Sequence, residues 1–591
     1  MNMIITCLEA LLSVYTLYFL NSLDFSNYFL LALIAFIFYI FFKNTHKYTK
    51  NTVLLSLVLT FFLLLGKYKI YLDDSNGLML AIKLIITPIG SYILFQHIFG
   101  YVFDILDNKK IKNITPISYK LSFIIAFLVI CLSWLIILII KYPGIIYPDT
   151  LNQIVQSFGD HPFNNKNPLL HTLLIKFIYD IVLSFATNIN IATFVVGLVQ
   201  LIINAIIYAY VCKYIYKRTS NICFYLGSLL FYGLISYNVF YNISISKDAM
   251  YAVFTALFVC MIDNLCYEPS NKNIILFIIT GILYSLLRNN GFYTLIVVVI
   301  IILVLCLKFN FKKLTITTIA TLVLVGIIRG PIYNATLTIL NANYKEDSYT
   351  MSTASFAANF AIVVPYQQIA NVVVHERELN EKEEWLIEEY IPLDEVKDAY
   401  NPILVDTLFE YIKHTCKPSR LNINKIEYLK LWVELFLKYP LDYLEAYVNM
   451  NKYYFYPNKY VENMYYTSIY PNEYGIEYTN NNKKLVNKIE TIYNEQRDIP
   501  LISSVFSPGT IVFILMIGLY YCLLKKNKTT FISMFHLLVN FLILMAFVPL
   551  NDEFRYIYPV VACLPLIITQ TISNIDYRRA MLNEDFKIGN S

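Results

Sequence analysis

Residues 169–185 read LLHTLLIKFIYDIVLSF, and the placement of this stretch decides the topology of the whole chain. Thr172, Lys176 and Asp180 recur every four residues and share one helical face. Leu170, Leu173, Leu174, Phe177 and Ile181 share another. A two-faced helix with charges at mid-length suits the headgroup region of a bilayer. The other placement is a membrane span that buries Lys176 and Asp180 inside the bundle.

Around this stretch the chain is a series of apolar runs. It has 591 residues, 58% of them hydrophobic and 15% charged, with mean hydropathy +0.55, more apolar surface than a soluble fold can hide. A span needs roughly 20 apolar residues to cross a hydrocarbon core of about 30 Å. Segments 3–20, 27–42, 52–66, 77–103, 119–140, 190–211, 221–241, 249–264, 273–287, 291–307, 314–328, 508–524, 531–549 and 556–572 qualify, about 14 in all. Helices are the expected form, because backbone groups in lipid must be paired internally. The expected fold class is therefore an all-α polytopic membrane protein. Met1 to Ala10 lacks a basic region and a small-residue cleavage site, so it reads as a retained helix.

Basic clusters mark the cytoplasmic loops: Lys43/Lys47/Lys50, Lys109/Lys110/Lys112, Lys213/Lys217/Arg218, Lys308/Lys312/Lys313, Lys525/Lys526/Lys528 and Arg578/Arg579. If 169–185 spans, Lys213/Lys217/Arg218 fall outside. If it lies in the outer interface, every cluster and both termini are cytoplasmic. The pattern favours the interface. Loop 141–168, loop 242–248, the turn Arg288–Gly291 and loop 550–555 then meet on the outer face.

Residues 330–507 form a polar insertion long enough to be a domain, expected to be mainly helical and extracytoplasmic. Residues 331–507 hold 24 acidic and 16 basic residues, a balance of −8 that leaves +13 for the rest of a chain whose total is +5. An acidic block beside a basic remainder argues against nucleic acid as a partner. Glu378–Tyr390 is acidic with helical period. Ile423–Leu437 and Leu441–Tyr454 read as amphipathic helices broken at Tyr439-Pro440. Tyr453–Tyr478 is dense in Tyr, Pro and Asn and reads as an extended loop, over a sugar or anchored at the interface. The organisation is thus an N-terminal four-helix block (1–118), a membrane module with outer loop 141–168 (119–329), the outer domain (330–507), and a three-helix block with a short cytoplasmic tail (508–591).

Of the ten cysteines, only Cys416 lies in the large polar region, so no disulfide framework is expected there, and no CxxC spacing occurs. His171 and His375 lack ligand-spaced partners in the sequence, so no metal site is indicated, although a divalent ion would suit the chemistry considered below. No G-x-x-x-x-G-K-[ST], G-x-G-x-x-G or G-x-S-x-G pattern occurs, which argues against direct nucleotide use and an esterase elbow.

The polar residues at the outer ends of the spans are the candidates for chemistry. Asp149, in a Pro-rich, aromatic-flanked segment, is placed to orient and deprotonate an acceptor hydroxyl beside a lipid phosphate; it also suits the N-cap of a helix beginning at Thr150. Gln153 lies one turn on. Asp160 and His161 read as further site residues or as loop structure. Lys247 and Asp248 open a span from outside; the Asp suits a helix start and the Lys suits lipid phosphate. Arg288, followed by Asn289, and Arg555, followed by Tyr556, stand where positive-inside statistics disfavour arginine. Bidentate phosphate binding is one reason for them, snorkelling at a helix end the other.

Six pieces in order then resemble a known superfamily: Tyr142-Pro-Gly-Ile-Ile-Tyr-Pro-Asp149-Thr-Leu-Asn-Gln153, Ser246-Lys247-Asp248, Leu287-Arg288-Asn-Asn-Gly291, Pro365-Tyr-Gln-Gln-Ile-Ala370, Lys438-Tyr-Pro440 with Tyr453-Tyr-Phe-Tyr-Pro457, and Arg555-Tyr-Ile-Tyr-Pro559. The set resembles the GT-C superfamily of polyprenyl-phosphate-dependent glycosyltransferases, nearest an uncharacterised bacterial family of GT-C-like multispan proteins. The resemblance implies a membrane glycosyltransferase using a polyprenyl-phosphate sugar lipid and a cell-envelope acceptor, with Asp149 on the acceptor side and Asp248 as its partner. The adjacent Asp-Glu pair common in such enzymes is replaced here by Asp149-Thr150, which weakens a metal role. A transporter or flippase of a lipid-linked glycan is the alternative; it should show interrupted helices and ionisable residues near the midplane. The Asn/Lys/Ile-heavy composition fits a low-GC bacterium.

Overall fold

The computed structural model describes residues 2–23, 25–45, 51–72, 77–108, 111–164, 167–268, 270–309, 312–341, 363–388, 392–405, 407–408, 425–457, 469–478, 483–547 and 554–573. Among them the chain is all α, with two isolated parallel bridges, Ile114 to Ser220–Asn221 and Ile145 to Ser244, in place of a sheet. Among the described residues eight helices are long and apolar enough to cross a membrane, nine if the bent pair Ile222–Leu234 and Ser236–Ile243 is one span. Five shorter apolar helices, Tyr28–Asn44, Val53–Gly66, Asn271–Leu287, Asn289–Val304 and Pro508–Leu524, complete the set. All of them fall on the apolar segments of the sequence, but only eight or nine have the length of a span.

Lys247–Tyr267 is the central helix, packed against Ile189–Thr219, Asn271–Leu287, Lys528–Phe547 and Phe554–Val561. Its flanking core is aromatic. Tyr232 stacks on Tyr208 at 4.1 Å between ring centroids, and its hydroxyl donates to the Ala562 carbonyl at 2.9 Å. Aromatic rings fill volume, and their hydroxyls find partners where water is absent.

The helix beginning at Ile222 bends by 54° at Ile235. A break inside lipid would orphan backbone groups, which must be paired by protein. Gln496 does this: its Oε1 accepts from the Ser236 amide at 3.0 Å and its Nε2 donates to the Leu234 carbonyl at 3.0 Å. Every residue of Ser236–Ile243 is buried.

Leu169–Leu183 is a helix of 15 residues, shorter than a perpendicular span requires. Its buried side mixes polar and apolar residues, and its exposed side does too. His171, Thr172 and Ile175 face the protein, while Phe177 and Ile181 are 64% and 45% exposed. Lys176 pairs with Asp180 at 3.2 Å and also donates to the Ser157 carbonyl.

The span expected to end near residue 328 continues through a π turn, Ile328–Ile332, to Leu340. The polar insertion holds a small helical core of its own, with Tyr366, Ile369, Leu386, Val396, Leu431 and Tyr443 buried together. The helices expected around Tyr439-Pro440 are Lys425–Lys438 and Pro440–Met450. The acidic helix is Glu381–Glu388, started by a reciprocal pair in which Asn380 and Glu383 each bond the other's amide at 2.9 Å. The Tyr-rich stretch departs from expectation at its start: Tyr454, Phe455 and Tyr456 are buried in the main core. Two glycines admit them. A Cβ at Gly509 would lie 2.0 Å from the Tyr456 carbonyl oxygen, and one at Gly66 would lie 2.3 Å from its ring. Residues 458–468 of that stretch lie outside the described ones.

Candidate functional site

The site begins with a register. After the helix Tyr119–Ile140 the chain turns through Gly144, whose φ of +127° a side chain would oppose, and Ile145 then bridges Ser244 in parallel. The Ile245 amide donates to the Ile145 carbonyl at 3.0 Å, and the Thr150 hydroxyl bonds the Ile245 carbonyl. Each strand-like segment then opens a helix, Pro148–Phe158 and Lys247–Tyr267. Asp149 and Asp248 stand at equivalent positions, each four residues past the bridge, in the first turns of adjacent helices. Neither caps its helix as the sequence suggested. Tyr147 precedes the first, with Pro148 in its opening turn, and the Ser246 hydroxyl accepts from the Asp248 amide at 3.2 Å in the second. Both carboxylates are favoured by the positive ends of the helix dipoles.

Three cations complete the cluster. Lys247 Nζ lies 3.0 Å and Arg555 Nη1 3.4 Å from Asp149 Oδ2. Lys247 also donates to Asn167 Oδ1 at 2.8 Å. Arg288 Nε lies 3.3 Å from Asp248 Oδ1, whose carboxylate is 3% exposed. Tyr556 joins the halves: its ring centroid lies 4.7 Å from the Arg288 guanidinium and 5.1 Å from that of Arg555. Asp149, the most open member, is 30% exposed. Five charged groups from four separate chain segments thus share one place. Among the described residues cations are in excess and both carboxylates are engaged by them, so the set suits an anion better than a divalent metal.

Beside the cluster lies a neutral shelf. His171 Nδ1 is 2.9 Å from Gln153 Oε1, and His171 Nε2 is 3.3 Å from Gln200 Oε1. Gln153 Nε2 donates to Thr172 at 2.9 Å, and Gln200 Nε2 to the Ser244 carbonyl at 2.7 Å. Burial pushes the His171 imidazole down to about 4, so it is neutral at ordinary pH.

Of the residues singled out in the sequence, Asp149, Lys247, Asp248, Arg288, Arg555 and Tyr556 come together, with Gln153 on the shelf. Asp160 does not join them; it accepts from the Tyr474 hydroxyl, whose ring stacks on Phe158 at 4.9 Å. His161 is exposed at the same turn. Asn289 accepts from Arg329, a residue the sequence reading passed over because it lies just beyond the expected end of its span. Asn167, His171 and Gln200 were also missed as site residues. Gln200, a lone amide inside an apolar run, was the available signal.

One mixed His/carboxylate group of metal-binding size occurs among the described residues: His375, Asp442 and Glu445, with one ligand atom from each lying within 4.8 Å of the others. The fold, not the sequence spacing, supplies the partners His375 lacked. Its Nδ1 is 3.2 Å from Asp442 and its Nε2 3.6 Å from Glu445. Arg377 already holds Asp442 with two bonds of 2.7 and 2.9 Å. Its charge opposes a cation there.

No curated protein and no solved structure matches the chain. A family described as of unknown function, DUF6020, matches residues 159–583, a range that holds Lys247, Asp248, Arg288 and Arg555 and begins shortly after Asp149. That match covers most of the sequence, and the chain is a member of the DUF6020 family.

Proposed function

We propose that the protein is a GT-C-like membrane glycosyltransferase that moves a sugar from a polyprenyl-phosphate donor to a cell-envelope acceptor on the extracytoplasmic face. The observation that carries this reading is the convergence of Asp149, Asp248, Lys247, Arg288 and Arg555 at one end of the helical bundle. Among the described residues the three cations exceed the two carboxylates by one charge, the complement of the single negative charge of a sugar phosphodiester. Phosphate oxygens compete with Asp149 for Lys247 and Arg555. Once displaced from them, Asp149 accepts the proton of an acceptor hydroxyl. The hydroxyl oxygen attacks the anomeric carbon, and the bond from that carbon to the phosphate oxygen breaks. Polyprenyl phosphate leaves on Arg288 and Arg555, with Asp248 fixing the Arg288 guanidinium.

In this reading all fourteen apolar helices cross, the bent pair counting as one, and Leu169–Leu183 lies in the outer interface. Both termini are cytoplasmic, and the polar insertion lies outside beside the site. The test is Asp149→Asn in liposomes carrying the full chain and a labelled lipid-linked sugar. Transfer should fall at least about 100-fold with the unfolding temperature unchanged. Undiminished transfer would remove Asp149 from the chemistry.

A second reading, movement of the lipid-linked glycan across the membrane, is favoured by one observation: the interrupted helix at Ile235, with Asn238 and Asn242 buried beyond the break. Lipid crossing without sugar transfer in the same liposomes would select it.

A further inference from the structure

The transfer reading leaves unused a second set of buried polar groups, strung along the central helix away from the site. His536, inside an apolar helix, is fully buried, and neither of its ring nitrogens has a hydrogen-bond partner. Phe258 and Tyr284 pack against it in T-shaped contacts, with ring centroids 5.2 and 5.3 Å away. An unbonded imidazole in such surroundings costs several kcal/mol relative to an apolar side chain of similar size. Ionisable groups kept inside a membrane bundle commonly carry protons or ions.

His536 stands between two hydrogen-bonded clusters. One turn toward the site, Asn540 donates to the hydroxyls of Tyr251 and Tyr284 at 3.0 and 3.2 Å, and these are 2.7 Å from each other. The Arg288 guanidinium lies 5.9 Å from the Tyr251 ring, which ties this cluster to the site. About one turn the other way, Ser533 bonds Gln570 at 3.3 Å, and Gln570 neighbours Asp263. Asp263 is wholly buried, held by Arg218 at 2.7 Å and by the Tyr214 hydroxyl. Gln570 Nε2, a donor, and Asp263 Oδ1, an acceptor, are left facing one another there.

We propose that this file is a proton path through the bundle, with His536 as its central carrier. A proton arriving from the Tyr251/Tyr284/Asn540 cluster binds one ring nitrogen. The imidazolium releases the proton of the other nitrogen toward Ser533, Gln570 and Asp263, which restores a neutral ring. A turn of the ring, which exchanges the places of its two nitrogens, resets it. Water bridges the steps at His536, whose two ring nitrogens are unbonded, while Gln570 already adjoins Asp263. The charged and titratable groups along it are Asp248 and Arg288 at the site end, Tyr251, Tyr284 and Cys563 around the ring, and Asp263, Arg218, Tyr214, Cys260 and Cys522 at the far end. The inference rests on these groups alone and is independent of sugar transfer.

The test uses the full chain in phosphatidylethanolamine–phosphatidylglycerol liposomes with a trapped pH-sensitive dye and a valinomycin-imposed potential. Internal pH should change at least tenfold faster than in protein-free liposomes. His536→Phe should return the rate to the protein-free value, and His536→Gln, which keeps a polar side chain that cannot be protonated, should do the same. Asp263→Asn checks the far end, and Lys176→Ala, off the path, should leave the rate unchanged. Wild-type liposomes no faster than empty ones would overturn the proposal, as would undiminished flux in His536→Gln. Neither result depends on whether sugar is transferred.

Discussion

Two clusters of carboxylates and cations in this protein use the same residue types to opposite ends. In the polar insertion, Asp442 takes two bonds from Arg377, His375 sits between Asp442 and Glu445, and the Tyr68 hydroxyl reaches Glu445 at 3.0 Å and Asn449 at 2.9 Å. That cluster is satisfied, and it ties the insertion to the N-terminal helices. At the Asp149/Asp248 site, the lysine and arginine pairs run from 3.0 to 3.4 Å against 2.7 and 2.9 Å for Arg377, cations outnumber carboxylates among the described residues, and Asp248 Oδ1 accepts no hydrogen bond. Charges that saturate one another build a joint. Charges left in excess can take a ligand.

The sharpest way to break this contrast is to remove one arginine from each cluster. Arg288→Ala should lower transfer by about 100-fold or more, the usual effect of deleting a donor to a developing anion. Arg377→Ala should leave transfer within about twofold and lower the unfolding temperature. Equal effects on transfer, measured with labelled lipid-linked sugar, would erase the distinction.

The shelf beside the site should respond to pH. His171 is held well below its ordinary value of 6.5, at about 4, so the folded state binds its proton less readily than the unfolded chain. Its contribution is present above the unfolded value and is lost as pH falls from 6.5 toward 4. The loss amounts to roughly 3 kcal/mol. His171→Gln should flatten that part of the stability profile, measured by denaturant unfolding in detergent.

Smaller still, Gln496→Ala should cost about 1 kcal/mol, because the part-buried Ser236 amide loses its partner while the exposed Leu234 carbonyl can turn to solvent. Lys176→Ala, at a partly exposed pair on one helix, should change stability by less than about 0.5 kcal/mol.

The site was legible in the sequence where charge interrupts apolar runs. Asp149, Lys247, Asp248, Arg288 and Arg555 each end a hydrophobic segment, and charge at such a boundary needs a reason. What the sequence could not convey was register. Nothing local says that Ile145 pairs with Ser244, yet that one bridge makes Asp149 and Asp248 equivalent. Asp160 looked as promising as Asp149, but it lies past the left-handed Gly159 that ends its helix and turns toward Tyr474. The burial of Tyr456 depends on Gly66 and Gly509, far apart in the chain, so composition alone read that stretch as an extended loop over a sugar or at the interface. His536 and Asp263 were visible as polar letters in apolar runs. Their partners come from other helices, which periodicity does not reveal.

The Gln496 contact also constrains biogenesis. The amide and carbonyl freed at the bend are answered by a residue synthesised some 260 positions later. Until Gln496 arrives, a nascent chain must leave the hinge at Ile235 hydrated or shielded by the insertion machinery. Final seating of that segment is therefore a late event, and truncated products ending before Gln496 should be marked for degradation.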